Sequence, residues 1–134
     1  MDNVSSVSAD VTTGTAFGRE ARLRNRWQLD VMRASGKKVV GRRFVLIALE
    51  TPPDGTRRAA FLISRKYSLL AVERNRARRL FREVFRRIYG GLPPVWLLFI
   101  PRHRMKTAML EDIETEALEL LAQSGVQTEK ETEC

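Results

Sequence analysis

The run VWLLFI, residues 95–100, carries no polar side chain and follows Gly90-Gly91 and Pro93-Pro94. A wholly apolar segment this short reads as a buried strand, and both of its faces need cover from other elements. The chain must therefore build a sheet with helices packed on it. Its 134 residues, 43% of them hydrophobic, suffice for one ordinary domain with a single core.

The remaining elements follow from pattern. ARLRNRWQLDVMRASG, residues 21–36, sets Leu23, Trp27, Val31 and Ala34 at near-helical spacing, with Gly36 as a stop. RRFVLIALE, residues 42–50, and RRAAFLIS, residues 57–64, are strand-like runs. The TPPDG turn between them points to an antiparallel hairpin. Residues 71–87, AVERNRARRLFREVFRR, place Ala77, Leu80, Phe81, Val84 and, just beyond, Ile88 on one helical arc. Asn75, Arg78, Arg79, Arg82 and Arg86 fall on the opposite arc. Met109, Ile113, Ala117, Leu120 and Leu121 mark a last helix, with Thr107 as candidate N-cap. The order helix, strand, strand, helix, strand, helix defines a small α/β fold of α+β, two-layer type. The domain is expected over residues 21–122, between a disordered tail at residues 1–20 and a polar tail at residues 123–134.

A formal charge of +8 attracts polyanions. No apolar run reaches the ~18 residues that span a membrane, and no signal-like start is visible, so a cytoplasmic protein is expected with no membrane partner. One histidine, His103, and one cysteine, Cys134, cannot furnish a thiolate metal cluster. No elbow-like GxSxG turn accompanies His103, and no GxxxxGK[ST] or GxGxxG occurs, so neither autonomous catalysis nor a nucleotide or metal cofactor has support. Glu111, Asp112, Glu114, Glu116 and Glu119 read as a solvated helix face.

The arginine helix differs from an ordinary solvated surface. Only Glu73 and Glu83 interrupt seven arginines, so like charges crowd one another where mixed signs would pair. Arginine's planar fork suits bidentate phosphate contacts, and Asn75 adds a group able to meet a base edge or a 2′-hydroxyl. Nucleic-acid binding follows. A helix-turn-helix would need a second helix a few residues upstream, where this chain is strand-like, so RNA is favoured and no DNA partner is expected.

Arg74-Asn75-Arg76-Ala77-Arg78-Arg79-Leu80-Phe81-Arg82-Glu83 reads RNRARRLFRE, an RNR element continued by further arginines and closed by Arg-Glu. With the flanking RLRNRWQLDVMRASGKKVVGRRFVLIAL, LISRK and VWLLFIPR, the chain resembles the protein subunit of bacterial ribonuclease P over residues 21–122. The resemblance implies a left-handed βαβ crossover, as in a domain of a ribosomal protein. It also implies partnership with a catalytic RNA that, with Mg²⁺, removes the 5′ leader from precursor tRNA, the protein binding both RNAs and holding no catalytic group. It assigns RNA-subunit binding to Arg74, Asn75, Arg76, Arg78, Arg79 and Arg82, with Arg65 and Lys66 beside them. A leader cleft is implied between the first helix and the sheet, near Trp27, Leu29, Arg33, Val45 and Ile47. Leu29 and Arg33 stand where the family usually has aromatics. Either Trp27 substitutes for them, or leader binding leans on Arg33 and the sheet residues Val45 and Ile47; Trp27 reads equally as a core residue. A general RNA chaperone or ribosomal protein sharing the fold is the alternative from another class.

Overall fold

A computed structural model describes residues 22, 23 and 25–126. The expected tail at residues 1–20 lies outside that range, as do residues 127–134. Three α-helices, α1 (Arg26–Ser35), α2 (Ala71–Ile88) and α3 (Leu110–Ser124), pack on four strands, β1 (Lys37–Val40), β2 (Phe44–Leu49), β3 (Arg58–Phe61) and β4 (Trp96–Pro101). Short 3₁₀ turns occupy Tyr89–Gly91 and His103–Thr107.

The strands lie in the order β1-β2-β4-β3, so the apolar run sits between two neighbours. β4 runs antiparallel to β2, from Phe44 opposite Pro101 to Leu49 opposite Trp96, and parallel to β3, from Arg58 beside Trp96 to Phe61 beside Phe99. The expected hairpin between residues 42–50 and 57–64 does not form. A strand apolar on both faces is least stable at an edge, so β2 and β3 stand apart and β4 fills the gap, α2 making the parallel crossover. The hairpin partner of β2 is instead β1, Lys37 opposite Ala48 and Val40 opposite Val45.

Each face of the sheet has its own core. Phe44, Leu46, Ala48, Ala59, Leu97 and Phe99 point to α2 and α3, where Phe81 stacks among Phe44, Phe61 and Phe99 with ring centroids 5.1–5.8 Å away. Alternate residues Ile47, Leu49, Trp96 and Leu98 point the other way, onto Met32 of α1 and Leu23.

Helix boundaries depart from expectation in physically clear ways. α1 begins at Arg26, because Asn25 caps it and its N–H donates to Gln28 Oε1 at 3.0 Å. Leu23 precedes the helix and donates its N–H to the Ala59 carbonyl at 3.0 Å, closing the edge of β3. The buried side of α1 is thus Gln28 and Met32, while Trp27 is 52% exposed. Thr107 ends a 3₁₀ turn and caps nothing. Met109, placed by pattern on the apolar side of the last helix, is that helix's exposed N-cap, and its N–H is held by the Asp112 carboxylate at 3.0 Å. The domain also runs past residue 122, since α3 continues to Ser124 and Val126 folds back into the core. Glu116, expected in solvent, is buried and accepts from the Arg43 N–H and guanidinium, each at 2.9 Å. Gly41 lies so close that a Cβ there would collide with the Glu116 carboxylate.

Candidate nucleic-acid interface

α2 keeps its shape by burying Ala77, Phe81, Val84, Phe85 and Ile88. This fixes where the arginines go. Arg74, Arg78 and Arg82 recur every fourth residue and so form one stripe; Asn75 and Arg79 form a parallel, exposed row. Burial first, then repulsion from Arg82 and Arg74, depresses the Arg78 pKa below the usual arginine value. A guanidinium does not lose its proton in water-accessible protein, so the depression expresses the cost of holding this charge partly buried beside two like charges. Arg78 Nη1 also donates to Asn75 Oδ1 at 2.8 Å, which orients the amide outward.

The other end of the same helix is neutral. Arg86 and Arg87 both pair with Glu83, at 2.5 and 3.2 Å, and Arg87 reaches Glu114 on α3 at 2.9 Å. Hydrogen bonds from Arg86 hold the Glu83 carboxyl below its ordinary range despite partial burial. The arginines paired with Glu83 and Glu114 thus lie in the last turns of α2, and Arg78, repelled by Arg74 and Arg82, lies before them.

Two loops flank the beginning of α2. Residues 64–70 carry Arg65 and Lys66, both exposed, and are tied to α2 by Arg74 Nη1 donating to the Ser68 carbonyl at 2.9 Å and by Ser68 Oγ donating to Glu73 at 2.6 Å. The second is the His103–Thr107 turn, gripped by Arg76, whose Nη2 and Nη1 donate to the Ala108 and Lys106 carbonyls at 2.6 and 3.3 Å. Thus Arg78, Arg79, Arg82, Asn75, Arg65 and Lys66 share one cationic end, while Arg76 turns inward to the fold.

The cleft residues lie on the opposite side of the sheet. α1 covers only part of it, leaving a row in register across β1, β2 and β4: Val40 beside Val45, and Val45 beside Ile100. Val45 and Ile100 are half-buried and Val40 is exposed. Leu29 is half-buried against the Ile47 core, and Arg33 is exposed in the last turn of α1. Trp27 sits edge-on to Trp96 at 6.0 Å, far along the strands from Ile100. Leu62, Ile100, Lys66 and His103 line a depression of about 250 Å³, and Arg42, Arg102, His103 and Arg104 line another of about 420 Å³. Sequence reasoning missed Leu62 and Ile100, because an unbroken apolar run does not disclose which residues face which side, and Val40, because its strand is half charged. Among the described residues no helix is long and apolar enough to cross a membrane.

The fold and this surface define a small α/β protein that presents the cationic end of a helix on one side of its sheet and a half-open apolar face on the other. A sequence profile described as Ribonuclease P matches residues 17–125. Similar curated proteins are the ribonuclease P protein components of Herpetosiphon aurantiacus, 33% identical over 65% of this chain and 72% of that one, and of a Marinomonas species, 34% identical over 70% and 71%. Among solved structures, the Thermotoga maritima RNase P protein superposes at a TM-score of 0.66, with 26% identity over 76% of this chain and 96% of that one. The Staphylococcus aureus RNase P protein shares the fold at a TM-score of 0.70, with 22% identity over 79% and 96%. This chain belongs to the ribonuclease P protein family. Ribonuclease P is an endoribonuclease of tRNA processing, and proteins of this family work with the ribonuclease P RNA.

Proposed function

We propose that this chain binds the ribonuclease P RNA through the cationic end of α2 and receives the 5′ leader of precursor tRNA on the open sheet face beside α1. The observation that carries the reading is the Arg74, Arg78, Arg82 stripe, in which Arg82 and Arg74 repel Arg78, while Arg86 and Arg87 are paired with carboxylates on the same helix. Asn75, Arg78, Arg79 and Arg82, with Arg65 and Lys66, face the RNA subunit. Arg74 shares that surface while bracing the Ser68 carbonyl.

On the other face the half-buried Val45 and Ile100 offer bases an apolar bed, with Arg33 and the Arg42, Arg102, His103 rim for phosphates. Trp27, more than half exposed, can stack with a base farther along. Phosphodiester hydrolysis belongs to the RNA subunit and its Mg²⁺. The described residues group no three His, Cys, Asp or Glu side chains in metal-binding range. The protein acts in the cytoplasm as the binding partner within a ribonucleoprotein.

The test is cleavage of a precursor tRNA at low Mg²⁺ by a bacterial ribonuclease P RNA, with and without the protein. Restored cleavage at the mature 5′ end supports the reading. Equal, salt-sensitive binding to unrelated RNAs with no restored cleavage would replace it with general RNA binding.

A further inference from the structure

We propose that Arg76, though it belongs to the signature stretch, is a positioning residue that clamps the His103–Thr107 turn to α2 and is not a phosphate contact. The inference deepens the RNA-binding reading above and rests on it. Both terminal nitrogens of Arg76 are directed to main-chain carbonyls thirty and more residues away, Ala108 at 2.6 Å and Lys106 at 3.3 Å. Ala108 is 3% exposed and Lys106 half-buried, so these carbonyls sit at the margin of the core. To grip a phosphate with both nitrogens, Arg76 would have to release them, and a carbonyl left without a donor at such a site is costly.

The turn needs an outside fastener. It is a five-residue 3₁₀ helix, a form with poor internal hydrogen-bond geometry. Its leading end is tied down by Arg102, whose N–H reaches the Arg43 carbonyl at 2.8 Å and whose Nη1 reaches the Gly41 carbonyl at 2.6 Å. Arg76 ties down the trailing end. Lys106 adds a weaker link, 3.7 Å from Glu73 and 5.6 Å from the centre of the Tyr67 ring. Between these anchors stand His103 and Arg104, which with Arg42 and Arg102 line the cationic depression. Only arginine among the cations has a rigid fork able to span two carbonyls. The clamp therefore aligns the cations of the turn with those of α2, so that two loops and a helix present one surface.

The test uses the full chain with ribonuclease P RNA and compares Arg76→Lys and Arg76→Met. Lysine keeps the charge but lacks the fork, so both variants weaken binding alike, by roughly tenfold. A hydroxyl-radical probe tethered through Arg104→Cys, in a Cys134→Ser background, then gives a blurred cleavage pattern on the RNA in either variant and a sharp one with Arg76. The Ala108 amide, bonded to the Met105 carbonyl, exchanges faster in both. Affinity restored by Arg76→Lys would overturn the proposal in favour of a phosphate contact. A lowered Tm with unchanged affinity and an unchanged footprint would overturn it in favour of a brace for the fold alone. If the unmodified chain fails to bind this RNA, the functional reading fails, and Ala108 exchange that stays unchanged in both variants refutes the clamp separately.

Discussion

Arg79→Met and Arg86→Met remove the same formal charge from the same helix, seven residues apart, yet they are expected to behave differently. Arg79 lies exposed on the part of α2 that precedes the Glu83 pairs. Arg86 belongs to a quartet with Arg87, Glu83 and Glu114, in which two cations face two carboxylates and the sum is zero. Each phosphate neutralised by a cation contributes about 0.9 to the slope of log affinity against log salt on a duplex, and about 0.7 on a single strand. Raising salt fourfold, from about 50 to about 200 mM, therefore weakens binding by roughly 3.5-fold for every such contact. Arg79→Met should lower the slope by one contact's worth. Arg86→Met should leave it unchanged, and Glu83→Gln should steepen it by releasing Arg86 and Arg87 to meet phosphate. Filter-binding titrations of ribonuclease P RNA at several salt concentrations measure all three. Equal slopes for Arg79→Met and Arg86→Met would show that local pairing does not decide which arginines meet RNA.

Two predictions concern the scaffold. Asp54 accepts from Thr56 and Arg58 and from the Trp96 indole at 3.2 Å; burial opposes its ionisation, but the bonds from Thr56 and Arg58 prevail and its pKa lies below the ordinary 3.8. A carboxyl depressed in the folded state adds stability above its unfolded pKa and loses it as pH falls through the folded one. Thermal melts should thus drop below about pH 4, and Asp54→Asn should flatten that drop; identical pH profiles would argue against it. Glu116→Gln keeps the volume but turns an amide donor toward the Arg43 donors, and should lower unfolding free energy by roughly 1–3 kcal/mol in urea titrations. A midpoint unchanged within error would show the pair to be ornamental.

The parts most legible in the sequence were those in which one residue class repeats at one period. α2 was readable because its apolar and cationic arcs are separate, and β4 because it tolerates no exposed face. β1 was not, since Lys37-Lys38-Val39-Val40 is half charged and becomes a strand only by pairing with β2. The hairpin expectation failed because TPPDG reports a turn without saying how far apart the strands end. The first helix was misplaced by Leu23 and Trp27, which satisfy its spacing although one precedes it and the other is largely in water. At the candidate site, the charges were visible as charges. The inward direction of Arg76 was not, because the carbonyls that receive it belong to residues of another element.

The placement of β4 has a consequence for how the protein is made. The middle strand of the sheet is the last to leave the ribosome, so β2 and β3 wait with unpaired edges while the whole of α2 is already synthesised. Until residues 96–101 emerge, the arginine helix has no completed sheet to cover, and its like charges oppose one another without the offset of a buried face. A chain that ended before β4 would present a cationic, half-greasy helix to any polyanion around it. Completion of the sheet by β4 is what turns that general attraction into a shaped one.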